Sequence, residues 1–489
     1  MVSPDDNLSA DHIEKTKRYS IIDGSGYNVM VGFGEQYVIP FALRLGASNS
    51  EVAILSSVPT FLGTLFQLFG AKLTDIFKSR KKLLVFFASF QALILFPLFL
   101  LPLLTRSILL LTMFFSLFMI FSNIVVPAWT SMIGDIVKDD ARSSYFARRN
   151  RITLSVLVFA LIMAGLILNH FSEINVWLGF GILFSIAVFG RIVSLIFLFK
   201  HFEPRKTPVG ATRLSFIEFT QHMRRSDFGN FVIFRISIAF CAMIAVPFFS
   251  VYMLKDLGFS YIQYSSVILI PVLIKALSAP YWGRLSSRFG NRNVMYITAI
   301  LITLIPVLWF LSGYFFSDNA LIVFLGILLA EAISGFAWGG FELVNFNYML
   351  ETSLPELRAR LIAYFNVMFG IAVLLGGLLS GFLIKIFTEI NVPFGAILAI
   401  FLISALTRML VVLLLMPSVK EVKHLEIIDE RKLFFEAVIV RPFGFALHSA
   451  LATLTFIEQG ITTVGRKTGE ELERISEPLI PFFMSRRKR

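Results

Sequence analysis

Charge is scarce in this chain of 489 residues. Asp, Glu, Lys and Arg together make up 16%, where a soluble protein holds about 25%. Hydrophobic residues reach 56% and mean hydropathy is +0.78. So little polar surface excludes a soluble multidomain enzyme, and so much apolar surface excludes disorder. Cysteine is nearly missing. The single Cys241 lies in an apolar run and can form neither an intramolecular disulfide nor a zinc site. The six histidines (His12, His170, His201, His222, His424 and His448) are scattered without metal-ligand spacing, so no metal is expected. No G-x-x-x-x-G-K-[ST] loop is present, which speaks against ATP drive, and no cofactor is expected. The segment Met1–Arg18 is polar and lacks a cleavable signal pattern, so the first apolar span is expected to stay in place.

What is abundant is long apolar runs. A membrane helix needs about 20 mostly apolar residues. Twelve runs qualify: residues 27–45, 52–71, 83–104, 108–129, 152–170 and 176–199, then 231–253, 262–282, 294–315, 321–341, 361–387 and 392–415. They are too long and too continuous for barrel strands. The expected fold is therefore all-α, with twelve transmembrane helices.

The net charge of +12 is not spread evenly. The loops after spans 2, 4, 6, 8 and 10 hold 21 Lys and Arg, whereas the opposite side has only Arg44, Arg106, Lys255 and Lys385. This bias places the cation-rich loops and both termini in the cytoplasm. The positive charge thus reads as topology, and no nucleic acid is expected as a partner. The boundaries follow: a cytoplasmic segment 1–24, a first six-helix bundle 25–200, a central loop 201–229, a second bundle 230–416 and a cytoplasmic extension 417–489. Within that extension, residues 443–457 are short for a span and follow Arg441-Pro442. They read as an interfacial amphipathic segment, with a thirteenth span as the alternative. The basic tail ending at Arg489 suits anionic lipid headgroups.

The two halves repeat. With a shift of 212 residues, Leu45-Gly46 falls on Leu257-Gly258, Pro59 on Pro271 and Arg80 on Arg292. With a shift of 216, Asp135 falls on Glu351, Arg142 on Arg358 and Asn150 on Asn366. An acid followed seven residues later by Arg thus recurs at the ends of spans 4 and 10. Repeated halves are a mark of secondary transporters.

The stretch Gly283-Arg-Leu-Ser-Ser-Arg-Phe-Gly-Asn-Arg292 resembles the loop signature of the major facilitator superfamily, G-x-L-[AS]-D-R-x-G-[RK]-[RK]. Ala71-Lys-Leu-Thr-Asp75, with Arg80-Lys81-Lys82, resembles a degraded first copy. Ala71 stands for the Gly in one copy, and Ser287 for the Asp in the other. The segment from Pro127 to Asn150 resembles the connection between helices 4 and 5 in prokaryotic permeases of this superfamily. The resemblance covers about residues 20–416. It implies two pseudo-symmetric six-helix bundles and a gating role for Asp75, Arg80, Arg288 and Arg292. Asp135, Arg142, Glu351 and Arg358 join them as candidates, because a carboxylate and a guanidinium at helix ends can pair in one state and part in another. Span 4 has no Arg and span 5 lacks the Gly-Pro pattern of drug antiporters. Gly376-Gly377 and Gly381 in span 11 read as packing.

Ionisable groups at bilayer depth are costly and mark function by default. Polar positions without a counterpart in the other half are the best candidates. Glu35, Gln67, Asn123, Lys275, Glu331 and Glu342 meet that test. If helices 1, 4, 7 and 10 line the cavity, as the resemblance implies, Trp338 is an aromatic wall. Each candidate also has a structural explanation. Glu35 can hold a buried hydrogen bond, and Lys275 can simply neutralise a span 10 acid. The leading function is a secondary transporter of a small solute, with a proton or another ion coupled through Glu35 or Glu331, acting as a monomer among membrane lipids. The alternative is a receptor or scaffold on the same fold that works through its tail. An enzyme is not expected.

Overall fold

The computed structural model describes residues 10–137, 139–204, 216–223, 226–353 and 357–422. The interfacial segment and basic tail expected within 423–489 lie outside the described residues, as does the side chain of Arg142. The chain divides into two compact units, residues 1–286 with 290–424 and residues 287–289 with 425–489. Of the second unit only Ser287–Phe289 is described, where Arg288 lies over the Phe289 ring at 5.0 Å.

Every regular element among the described residues is helical. The first half holds α1 (Ala10–Phe33), α2 (Val38–Leu45), α3 (Asn49–Gln67), α4 (Gly70–Phe77), α5 (Arg80–Thr105), α6 (Ile108–Ile136), α7 (Asp139–Ile174) and α8 (Val176–Phe199). A short α9 (Phe216–His222) precedes the second half. That half holds α10 (Asp227–Val251), α11 (Tyr261–Phe289), α12 (Asn291–Phe315), α13 (Ala320–Thr352), α14 (Arg358–Glu389) and α15 (Ala396–Leu415). Ten of these are long and apolar enough to cross a membrane. Spans 1 and 2 fall short of that measure. Lys15, Lys17, Arg18 and Asp23 charge α1, and α3 is rich in hydroxyls: Ser50, Ser56, Ser57, Thr60 and Thr64.

Two helices begin more than ten residues before their apolar runs. The first starts at Ala10, where Asp11–Lys15 and Glu14–Arg18 pairs line its exposed turns. Such i,i+4 pairs support polar helix, and hydropathy alone does not register them. The fifth starts at Asp139 rather than residue 152.

The repeat is built into local structure. Gly46 and Gly258 both take positive φ, +97° and +62°, a backbone that glycine adopts without strain. Two residues on, Ser48 and Ser260 each open a helix with a capping box. The Ser48 hydroxyl accepts from Glu51 N–H and the Glu51 carboxylate accepts from Ser48 N–H. Ser260 and Gln263 do the same. Packing repeats as well: α1 lies on α8 as α10 lies on α15, α5 on α6 as α12 on α13, and α5 on α8 as α12 on α15.

The halves meet along a seam of small residues between α3 and α14. A Cβ added at Gly370 would press on Thr64, at Gly377 on Ser57, and at Gly381 would stand 3.4 Å from the Ala53 Cβ. Ser50 Oγ donates to the Gly381 carbonyl (3.0 Å), and Asn366 donates to Gln67 (3.4 Å). Small residues let the two backbones close in.

Just past α8, His201 is buried at 1% exposure. Burial, with Lys81 and Arg149 adding repulsion, pushes its imidazole from 6.5 down to about 4. The unfolded chain therefore takes up this proton at a higher pH than the folded one. Stability from His201 is complete above pH 6.5 and is lost as pH falls toward 4, about 3 kcal/mol in all. Melting curves over that window should fall more steeply for wild type than for His201→Phe. Parallel curves would show that His201 does not titrate in this way.

Candidate functional site

Helix 1 does not run through. After Phe33 the chain passes Gly34, makes a 3-10 turn over Glu35–Tyr37 and resumes helix at Val38. Gly32 lies against Ala160 of α7, and Gly34 against Ala187 of α8, with no room for a Cβ. The glycines thus press the break between two helices and hold Glu35 at a discontinuity in the bilayer-depth helix. Broken helices at that depth are where transporter sites are found. The Glu35 carboxylate bonds none of the described residues.

The residues beside Glu35 reach across to the second half. Tyr37 Oη and Ser265 Oγ are 2.5 Å apart, and Tyr264 Oη donates to the Gln36 carbonyl at 3.4 Å. Farther toward the low-cation side, Arg44 Nε donates to Tyr261 Oη (2.8 Å) and Lys255 Nζ to the Ala47 carbonyl (2.6 Å). These bonds latch the halves together on that side.

In the second half, Lys275 of α11 pairs with Glu342 of α13, and both side chains are nearly half exposed. Lys275 is eleven residues from Tyr264, three turns along α11, so it shares the face that meets the first half. Gly335 and Gly339 of α13 bring that helix against Pro271 and Lys275 of α11. Arg235 of α10 lies over Phe341 and Phe369 at 5.3 and 5.0 Å, with Nη1 unbonded. Trp338 packs edge-on to Phe341. Glu331 accepts from Trp309 Nε1 of α12 at 3.0 Å. Asn123 donates to the Met119 carbonyl and fits against Gly63 of α3.

The loop candidates form two related clusters at the cation-rich ends. In the first, Arg80 is 2% exposed. Its Nη1 donates to Asp135 Oδ2 (2.5 Å) and Ser131 Oγ (3.0 Å), and its Nη2 to the Pro204 carbonyl (2.9 Å). Glu203 receives the Arg80 backbone N–H and the Ser79 hydroxyl, both at 2.5 Å. In the second, Glu421 receives the Arg292 N–H (2.9 Å), Arg292 Nε donates to the Val419 carbonyl (2.9 Å), and Asn291 donates to Glu351 (2.8 Å). Glu203 and Glu421 each follow the last helix of their half and each caps the helix that Arg80 or Arg292 opens. Arg358 donates to Ser353 and to the Leu350 carbonyl, both 3.2 Å. Asp75 is exposed on α4.

One group of charges escaped the sequence reading. In the first half, a half-open pocket of about 430 Å³ is lined by α1, α5, α6, α7 and α8. Asp23, Arg149 and Arg191 line it. Arg191 is the only charged residue in its span, but it falls on Arg408 at an offset of 217, so the rule that selected Glu35 passed over it. Asp23 falls in the cytoplasmic segment 1–24 of the sequence reading, and Arg149 among its topogenic cations.

A sequence profile described as Major Facilitator Superfamily matches residues 27–246 and 231–465. No curated protein matches the sequence. Among solved structures, the nucleoside transporter NupG is similar with a TM-score of 0.61 at 14% identity, over 84% of this chain and 99% of that one. A D-xylose-proton symporter gives 0.60 at 13% identity, over 84% and 98%. A bacterial homologue of the iron transporter ferroportin in an inward-facing state gives 0.57 at 13% identity, over 83% and 100%. At these identities the likeness is one of fold.

Proposed function

The chain belongs to the Major Facilitator Superfamily, and from that premise we propose that it is a secondary active transporter of a small solute, working by alternating access with a proton as the coupling ion. It is a multi-pass membrane protein with a transporter fold. The plasma membrane, with both termini cytoplasmic, is the location that the 21-to-4 cation bias supports.

The observation that carries the reading is the latch at Glu35. Gln36 and Tyr37, the two residues that follow it in the turn, bond Tyr264 and Ser265 of the other half. A group that changes charge there sits beside the bonds that open and close one face. Lys275 and Glu342 stand on the faces that a midplane solute would meet, with Trp338 beside them. Arg80, Asp135, Arg292 and Glu351 are the parts that would exchange partners when the cation-rich face closes. That one of the similar structures is a proton symporter fits this reading.

The test is a reversible lock. Gly381 and Ser50 lie close enough that a Cβ at 381 stands 3.8 Å from the Ser50 Cα, within reach of a disulfide. Cys241 is buried and does not compete. The double variant Ser50→Cys, Gly381→Cys is reconstituted in vesicles and assayed with a solute first found by thermal shift on a metabolite panel. Oxidation should reduce flux at least tenfold, and reductant should restore it. Full flux through a verified cross-link would sink alternating access. Absence of flux from every reduced sample would favour a scaffold.

A further inference from the structure

The cavity inside the first half is built around an unbalanced charge. Asp23 is 5% exposed and Arg191 3%. They are joined through one hydroxyl: Arg191 Nη1 donates to Ser194 Oγ at 2.8 Å, and Ser194 Oγ donates to Asp23 Oδ1 at 2.6 Å. Arg149 donates through Nε to the Ser20 carbonyl and hydroxyl, both at 3.3 Å, and lies over the Trp129 ring at 4.5 Å. Neither arginine makes a direct ion pair among the described residues. Two guanidinium groups therefore share one carboxylate, which leaves one positive charge over in the pocket.

Arg191 lines the pocket, and its buried Nε bonds nothing among the described residues. The Arg191 head lies over the Tyr27 ring at 5.5 Å, and Tyr27 Oη is 3.0 Å from Ser122 Oγ, so the ring is pinned. Gly24 has no side chain where the end of Arg149 lies, and Gly26 and Gly190 bring α1 and α8 together beneath it. An orphaned donor on a buried cation is costly, and arginine's fork matches the oxygens of a carboxylate or phosphate. The volume of about 430 Å³ is in the range of small-molecule sites.

We infer that this cavity holds the acidic group of a small organic anion, and that such an anion is the class of solute carried. The second clause rests on the transport reading above; the first does not. An anionic lipid headgroup offers the same chemistry, so the test must separate the two sources.

The protein is placed in phosphatidylcholine nanodiscs, and affinity is read from the melting temperature with benzoate, phenyl phosphate and neutral benzamide. The two anions should raise it and benzamide should not. Arg191→Met should weaken anion binding by roughly ten- to a hundredfold, the loss expected for a charge-assisted bond. If that variant does not fold, Arg149→Met, which alters a half-buried residue, reads the same affinity. Equal binding of benzamide, or anion binding indifferent to both substitutions, would overturn the site. A shift produced only by adding phosphatidylglycerol would assign it to lipid and overturn the solute. Because no gradient is applied, binding without flux would instead count against transport, and flux without arginine-dependent binding against this inference alone.

Discussion

Glu35→Gln should reduce solute accumulation under a proton gradient to the equilibrium level, while exchange of labelled for unlabelled solute persists. Glutamine keeps the size and loses the titratable proton. Nothing among the described residues bonds the Glu35 carboxylate, so the substitution breaks no ion pair. The 3-10 turn is held by other forces, namely Gly32 and Gly34 against α7 and α8 and the Tyr37–Ser265 bond. The fold and the latch should therefore survive, and the loss should appear in coupling alone. Exchange needs only that both faces open in turn; accumulation needs a proton to travel with the solute. The measurement is uptake and counterflow in the same vesicles. Retained accumulation would remove the proton from Glu35. Loss of both activities would mean that the residue shapes the solute site itself.

Arg80→Ala should be the most destabilising single change at the cation-rich face. It strips Asp135 of its guanidinium, takes a donor from the Pro204 carbonyl and leaves Glu203 to Ser79 and a backbone N–H. Removing one partner of a buried pair costs about 3–5 kcal/mol. Asp135 is 42% exposed, so water recovers part of that, and about 2–4 kcal/mol is expected. The melting temperature should fall by roughly 4–8 °C. A melting temperature unchanged by Arg80→Ala would show that this cluster does not hold the face together.

The two arginine clusters also mark how far the sequence could be read. The offsets of 212 and 216 placed Arg80 over Arg292 and Asp135 over Glu351, and the structure puts each set in one cluster. The pairing itself was not legible. The acid-x6-Arg spacing suggested Asp135 with Arg142, whose side chain lies outside the described residues; the bond from Arg80 of another helix to Asp135 had no signal in that spacing. Glu203 and Glu421 were missed because they align at an offset of 218, beyond the helices where the comparison stopped. The break at Gly34 was missed for a different reason. Glycine is common in membrane helices, and only the approach of Ala160 and Ala187 makes these two a fracture. One charge in the apolar run 176–199 was visible at Arg191, but Asp23, which it meets through Ser194, lay in the segment assigned to the cytoplasm.

The seam between α3 and α14 has a kinetic consequence. Gly370 on Thr64, Gly377 on Ser57 and Gly381 on Ser50 meet there through side chains of none to three heavy atoms, beside the larger Asn366–Gln67 pair. Larger interdigitated residues would each have to change rotamer before one half could tilt over the other, and every such change adds to a barrier. A surface this smooth can be traversed with few rotamers to reset. On the transport reading proposed above, turnover should be limited at the two rims, where the latch and the arginine clusters must break and re-form, and very little along this seam.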